Sequence, residues 1–143
     1  MDALLKKINF KTEMKIRLWN VPEEFQSWQS EIEKSGFLAE EGKSANFLLG
    51  FVKDEKELEA TFKKMKSGLD EDQIFWMCYP KKSSKKYKST ISRDAGWGIL
   101  AKENYEGVRQ VAMDENWSAL RFRKADNIKN MTRKFSLKDQ LKK

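Results

Sequence analysis

The sequence predicts an α/β fold, a three-layer sandwich built on a mostly parallel sheet that ends in an antiparallel hairpin. Three observations predict it. Two continuous apolar runs, Phe47–Val52 and Ile74–Tyr79, have the length and composition of strands covered on both faces. Amphipathic helical patterns precede the first run and separate it from the second, as parallel crossovers require. Two alternating segments, Val108–Met113 and Ala119–Phe122, flank Asp114-Glu115-Asn116, a turn composition that closes a hairpin.

Each element follows in order. Met14 to Asn20 sets Ile16 and Leu18 on one face and Lys15, Arg17 and Trp19 on the other, the period of a strand. Pro22 suits a first helical turn, and Glu23 and Glu24 follow where the helix dipole favours acids. Phe25, Trp28 and Ile32 recur at helical spacing until Gly36 stops the helix. Phe37-Leu38-Ala39 reads as a short strand that Glu40, Glu41 and Gly42 interrupt. Asp54 caps the next helix with Glu57 three residues on, and Leu58, Phe62 and Met65 form its apolar stripe, closed by Ser67-Gly68. Pro80 ends the second apolar run. Lys81 to Arg93 is a basic loop without an acid before Asp94. Trp97, Ile99, Leu100 and Tyr105 suggest a helix ending near Asn104, weakened by Gly96 and Gly98.

This strand and helix order is Rossmann-like, and it resembles the later half of a class I methyltransferase, whose doubly wound sheet ends in such a hairpin. Residues 1–123 are expected to form one domain, and 124–143 a basic tail, partly helical or disordered. That tail sets seven lysines and arginines against Asp126 and Asp139, and Ile128, Met131, Phe135 and Leu137 could place a short helix on the domain.

With 143 residues, 39% of them hydrophobic, the chain has the size and apolar content of one globular domain. Its five tryptophans and nine phenylalanines predict an aromatic core. A formal charge of +7 favours anionic neighbours such as nucleic acid, phosphometabolites or acidic proteins. Cys78 is the single cysteine, so no disulfide can form within the chain and a reducing compartment is expected. Met1–Lys7 lacks the apolar core of a secretory signal, and no window approaches the ~20 apolar residues of a membrane span. Cytoplasm is therefore the expected address. The absence of histidine removes Ser-His-Asp and Cys-His nucleophile systems and histidine metal ligands.

A Rossmann cofactor site needs a glycine-rich turn after its first strand. Here that turn reads Asn20-Val21-Pro22-Glu23, without glycine, so no cofactor is expected. Lys81 and Lys82 follow a strand exit, the usual place for a ligand in an open sheet, and could meet a phosphate. A solvated lysine loop is the plainer reading. Asp114, Trp117 and Ser118 flank the hairpin turn and, with Asn20, are candidates for the same rim. The turn's own hydrogen bonds account for Asp114 without a ligand. Cys78 lies mid-strand among apolar neighbours, where a thiol is unreactive. Lys81, Lys82, Lys85, Lys86 and the tail, interleaved with Tyr87 and Trp97, could also track a nucleic-acid backbone.

At Phe75-Trp76-Met77-Cys78-Tyr79-Pro80-Lys81-Lys82 and Val111-Ala112-Met113-Asp114-Glu115-Asn116-Trp117-Ser118-Ala119-Leu120-Arg121-Phe122, the chain resembles a family of small bacterial proteins known as a domain of unknown function. The likeness spans about Phe10 to Arg123 and implies a compact α/β protein without implying a reaction. On these grounds a noncatalytic binding or interaction module is expected. The alternatives are a degenerate methyltransferase-like enzyme or a binder of an anionic ligand, nucleotide or nucleic acid. An exposed aromatic patch serving a homodimer or heteromeric interface is a third reading.

Overall fold

The computed structural model describes residues 2–128. Among them, five strands form one mixed sheet: β1 (Ile16–Trp19), β2 (Phe47–Phe51), β3 (Ile74–Pro80), β4 (Tyr105–Ala112) and β5 (Trp117–Lys124). Four α-helices accompany them: α1 (Ala3–Lys7), α2 (Gln26–Lys34), α3 (Glu55–Met65) and α4 (Gly98–Lys102). The spatial order is β1-β2-β3-β5-β4. The two apolar runs are neighbours, as expected, with β2 parallel to β3 from Phe47 opposite Ile74 to Phe51 opposite Cys78. β1 joins them in parallel, and β5 runs antiparallel between β3 and β4.

Because side chains alternate along a strand, these apolar runs feed a core on each face of the sheet. Leu48, Phe75, Met77, Leu120 and Phe122 meet Leu58, Phe62 and Met65 of α3 and Leu100 of α4. On the other face, Phe47, Leu49, Phe51, Trp76 and Ala119 meet Leu5 of α1 and Trp28 and Ile32 of α2. Helices thus cover both sides, giving three layers.

The helix boundaries have local causes. Gly36, at φ +76°, ends α2 in a left-handed conformation; its N–H and that of Phe37 then reach the carbonyls of Glu33 and Ile32, the paired bonds of a Schellman stop. Asp54 caps α3 by accepting the Glu57 N–H at 2.8 Å, while Glu57 accepts the Lys53 N–H at 3.1 Å.

The chain reverses direction across the sheet after β1. Ile16 exchanges backbone bonds with Phe37 and Ala39, both 2.8 Å, on one edge, whereas the Lys15 carbonyl accepts from Phe47 on the other edge at 3.1 Å. The strand expected at 37–39 is therefore a single bridge at Leu38 on the outer side of β1. From there the chain returns to lay β2 on the inner side. Arg17 fixes the return loop by donating to the carbonyls of Glu40 and Lys43, each at 2.8 Å.

Three further expectations are corrected. The helix expected from Trp97 to Asn104 is only α4, and Tyr105 opens β4 instead of extending the helix. The hairpin strands are longer than Val108–Met113 and Ala119–Phe122, because Tyr105–Gly107, Trp117 and Ser118 also pair; a register shift between Gly107 and Arg109 breaks the alternation there. Met113 lies just past β4, its N–H bonded to the Trp117 carbonyl at 2.9 Å. Helix α1, too short to show a period, was not expected. In the tail, Met131, Phe135 and Leu137 lie outside the described residues. No helix among the described residues is long and apolar enough to cross a membrane.

Gly50 lets α3 approach β2 closely. A Cβ there would lie 3.2 Å from Met65 Sδ and Thr61 Cγ2, and 3.3 Å from Met77 Sδ. Gly50→Val is expected to cost about 1–3 kcal/mol through overpacking, measured by urea unfolding.

Candidate functional site

The reversal between β1 and β2 marks a topological switch point, the place where open α/β sheets leave a crevice outside the carboxyl ends of their strands. A cleft of about 490 Å³ occupies it, lined by Asn20, Lys53, Thr61, Lys64, Tyr87 and Trp117 among others. Lys53 lies just past β2, after Val52, and Lys64 reaches in from α3. Glu23 and Glu57 supply opposing charge, Glu57 standing 4.0 Å from Lys53 in a solvent-exposed pair.

Asn20 adopts φ +58°, a left-handed conformation that asparagine tolerates better than most residues. Its amide donates to the Phe51 carbonyl at 3.1 Å and to Thr61 Oγ1 at 2.8 Å. It therefore ties the exit of β1 to the exit of β2 and to α3. A side chain fastens the turn where a dinucleotide site would leave bare glycine backbone.

One wall of the cleft is built around Glu24, from the 3-10 turn Glu23–Phe25. Its carboxylate accepts the Trp117 indole N–H at 2.9 Å, the Tyr87 hydroxyl at 2.9 Å and Lys86 Nζ at 3.3 Å. Burial pushes this carboxyl up, but the hydrogen bonds from Trp117, its own backbone, Tyr87 and Lys86 outweigh burial and bring it from 4.5 down to about 2. Tyr87 packs on Trp117 with ring centroids 5.1 Å apart, and Trp117 meets Phe51 edge-on at 5.2 Å. Lys53 and Lys86 stand over the Tyr87 ring at 5.7 and 5.5 Å. The basic loop is thereby strapped across the sheet to the turn before α2.

A second cleft, of about 480 Å³, lies at the ends of β3 and β5 and includes Tyr79, Lys81, Lys82, Arg93, Asp94 and Ser118 in its lining. Tyr79 and Ser118 sit opposite each other across the strand pair. The Lys81 N–H bonds to the Asn116 carbonyl at 2.8 Å, which sets Lys81 at the rim.

The sequence candidates thus divide between two clefts. Asn20 and Trp117 line the switch-point cleft; Lys81, Lys82 and Ser118 line the other. Asp114 lines neither: one of its carboxylate oxygens accepts the Asn116 and Trp117 N–H groups, both at 2.8 Å, which is the hairpin-turn role. Trp117 is only 2% exposed, so it forms the floor and leaves Tyr87 as the more accessible aromatic. Lys85 is exposed, and Lys86 is engaged with Glu24. Cys78 is fully buried, and burial, then the Asp114 charge, push its thiol up.

Sequence reasoning missed Glu24, Lys53, Thr61 and Lys64 as site residues. Lys53 had a signal, since it directly follows the apolar run Phe47–Val52. Glu24 had none, because an acid at a helix start already has a sufficient local explanation.

These elements define a layered α/β protein with an open mixed sheet and clefts at the carboxyl rim. No family model matches the chain, and none of the curated proteins matches it. Among solved structures, it is similar to a protein in the NADB-Rossmann superfamily from Streptococcus agalactiae, at 12% identity and a TM-score of 0.49 over 92% of this chain and 71% of that one. It is also similar to the B. subtilis tRNA methyltransferase TrmK, at 15% identity and a TM-score of 0.43 over 76% of this chain and 48% of that one.

Proposed function

We propose that the protein is a noncatalytic binding module of Rossmann-like architecture that takes a nucleotide-sized anionic ligand at the switch point between β1 and β2. The observation that carries this reading is the chain reversal at Leu38, which opens a crevice at the carboxyl ends of β1 and β2. Its volume suits a small molecule, for which clefts of roughly 300–1,000 Å³ are usual. Lys53 and Lys64 supply positive charge for the ligand's anionic group, and Pro22 and Tyr87 supply apolar surface for its planar part. Binding is favoured over catalysis because the polar groups closest to the rim are committed to the scaffold. Asn20 ties strands together, Glu24 holds the loop, and Asp114 closes the hairpin turn.

Thermal melts with ATP, GTP, NAD, S-adenosylmethionine and a short RNA test the proposal. At 100 times its dissociation constant, a bound nucleotide is expected to stabilise by about 2.7 kcal/mol. Lys64→Met is expected to weaken that binding about tenfold, the usual order for losing one charged contact. No shift with any nucleotide would reject the reading; a shift with RNA alone would move it to nucleic-acid binding along the lysine loop.

A further inference from the structure

The cleft at the ends of β3 and β5 has a floor unlike a lysine-covered surface. Two nearly buried hydroxyls face each other there, Tyr79 at 3% exposure and Ser118 at 6%. The Tyr79 oxygen already accepts the Gln110 amide at 2.8 Å. That bond uses the Tyr79 oxygen as an acceptor, so the hydroxyl protons of Tyr79 and Ser118 remain to donate into the cleft. Above this floor stand Lys81, Lys82 and Arg93; the acid in the lining, Asp94, lies 3.2 Å from Arg93 in an exposed pair. Three cations against one acid, floored by two hydroxyl donors, complement a tetrahedral oxyanion.

We propose that Tyr79, Ser118, Lys81, Lys82 and Arg93 form a phosphate site, separate from the switch-point cleft. The tyrosine is a durable donor. Burial first of all, countered by the Arg93 charge and reinforced by that of Asp94, raises its phenol to about 12, so it keeps its proton at neutral pH. Backbone geometry holds the floor in place, because Tyr79 and Ser118 are ladder partners and the neighbouring Pro80 pairs with Trp117. The ligand is an inorganic phosphate ion or the terminal group of a phosphomonoester.

Calorimetric titration of the full chain with inorganic phosphate, and separately with phenyl phosphate, tests the site. Saturable binding of inorganic phosphate is expected. Tighter binding of phenyl phosphate would identify a phosphomonoester as the ligand, and equal binding the free ion. Tyr79→Phe combined with Ser118→Ala is expected to weaken phosphate binding about tenfold or more, because a bond from a neutral donor to an anion is lost. Should that double variant fail to fold, Lys82→Met decides, since Lys82 is exposed. A several-fold loss of affinity supports the site. No saturable phosphate binding by the wild type, or unchanged affinity in the folded variants, would overturn it. Lys64→Met should leave phosphate binding intact, so failure here and failure at the switch-point cleft are read separately.

Discussion

Glu24→Ala is expected to lower stability by about 2–3 kcal/mol, more than its place in a short surface turn suggests. The Glu24 side chain is 20% exposed, and its carboxylate takes three side-chain donors. Deleting it leaves the Trp117 indole N–H without its acceptor in a residue only 2% exposed, and an unsatisfied buried donor costs about 1–3 kcal/mol. The strap from Tyr87 and Lys86 is lost as well. The same contacts predict a pH dependence. Because the folded carboxyl is held at about 2, below its ordinary 4.5, its contribution is fully present above about 4.5 and is lost as the pH falls toward 2. Glu24→Gln keeps an acceptor but loses the charge, so it should lose stability less steeply than the wild type across that window. Urea unfolding of both proteins from neutral pH to pH 2 checks this, and parallel curves would remove Glu24 as the source.

Trp76→Ala is the other large effect, about 3–5 kcal/mol, the usual range for deleting a fully buried large aromatic. Trp76 is fully enclosed on β3, and its indole N–H donates to the Ile8 carbonyl at 2.9 Å. That bond ties α1 to the centre of the sheet. Five residues cannot hold a helix unaided, so α1 depends on such anchors, together with Asp2, which caps Leu4 at 2.6 Å. Trp76→Phe keeps much of the ring volume but leaves the carbonyl without this donor. It should cost about 1–3 kcal/mol and raise amide exchange in α1 before it affects β2. Uniform loss of protection would show that the helix and sheet open as one unit.

The strongest sequence signals came from burial. Phe47–Phe51 and Ile74–Pro80 announced themselves because a strand covered on both faces needs an unbroken apolar run. Gly36 and Asp54 were legible because the chemistry of helix ends is local. The start of β4 was not, since Tyr105-Glu106-Gly107 follows a helix and the shift at Gly107 breaks the period-two pattern. Helix α1 escaped because its stability comes from Trp76, 68 positions from Ile8. The candidate site was half visible. Strand exits pointed to Asn20, Lys81 and Lys82, but their division between two clefts depends on the direction in which the chain turns after α2, and a single bridge at Leu38 carries that information.

The place of β5 has a consequence for how the molecule is made. β4 ends the sheet and has β5 as its neighbour there, yet β5 is synthesised after it and must slide in beside β3. On the ribosome, a nascent chain that has reached Ala112 therefore carries an unpaired β4 and a bare edge on β3, with Trp76 and Phe75 along it. The far half of the sheet can zip only after Lys124 has cleared the exit tunnel, which leaves the newborn protein sticky until β5 arrives.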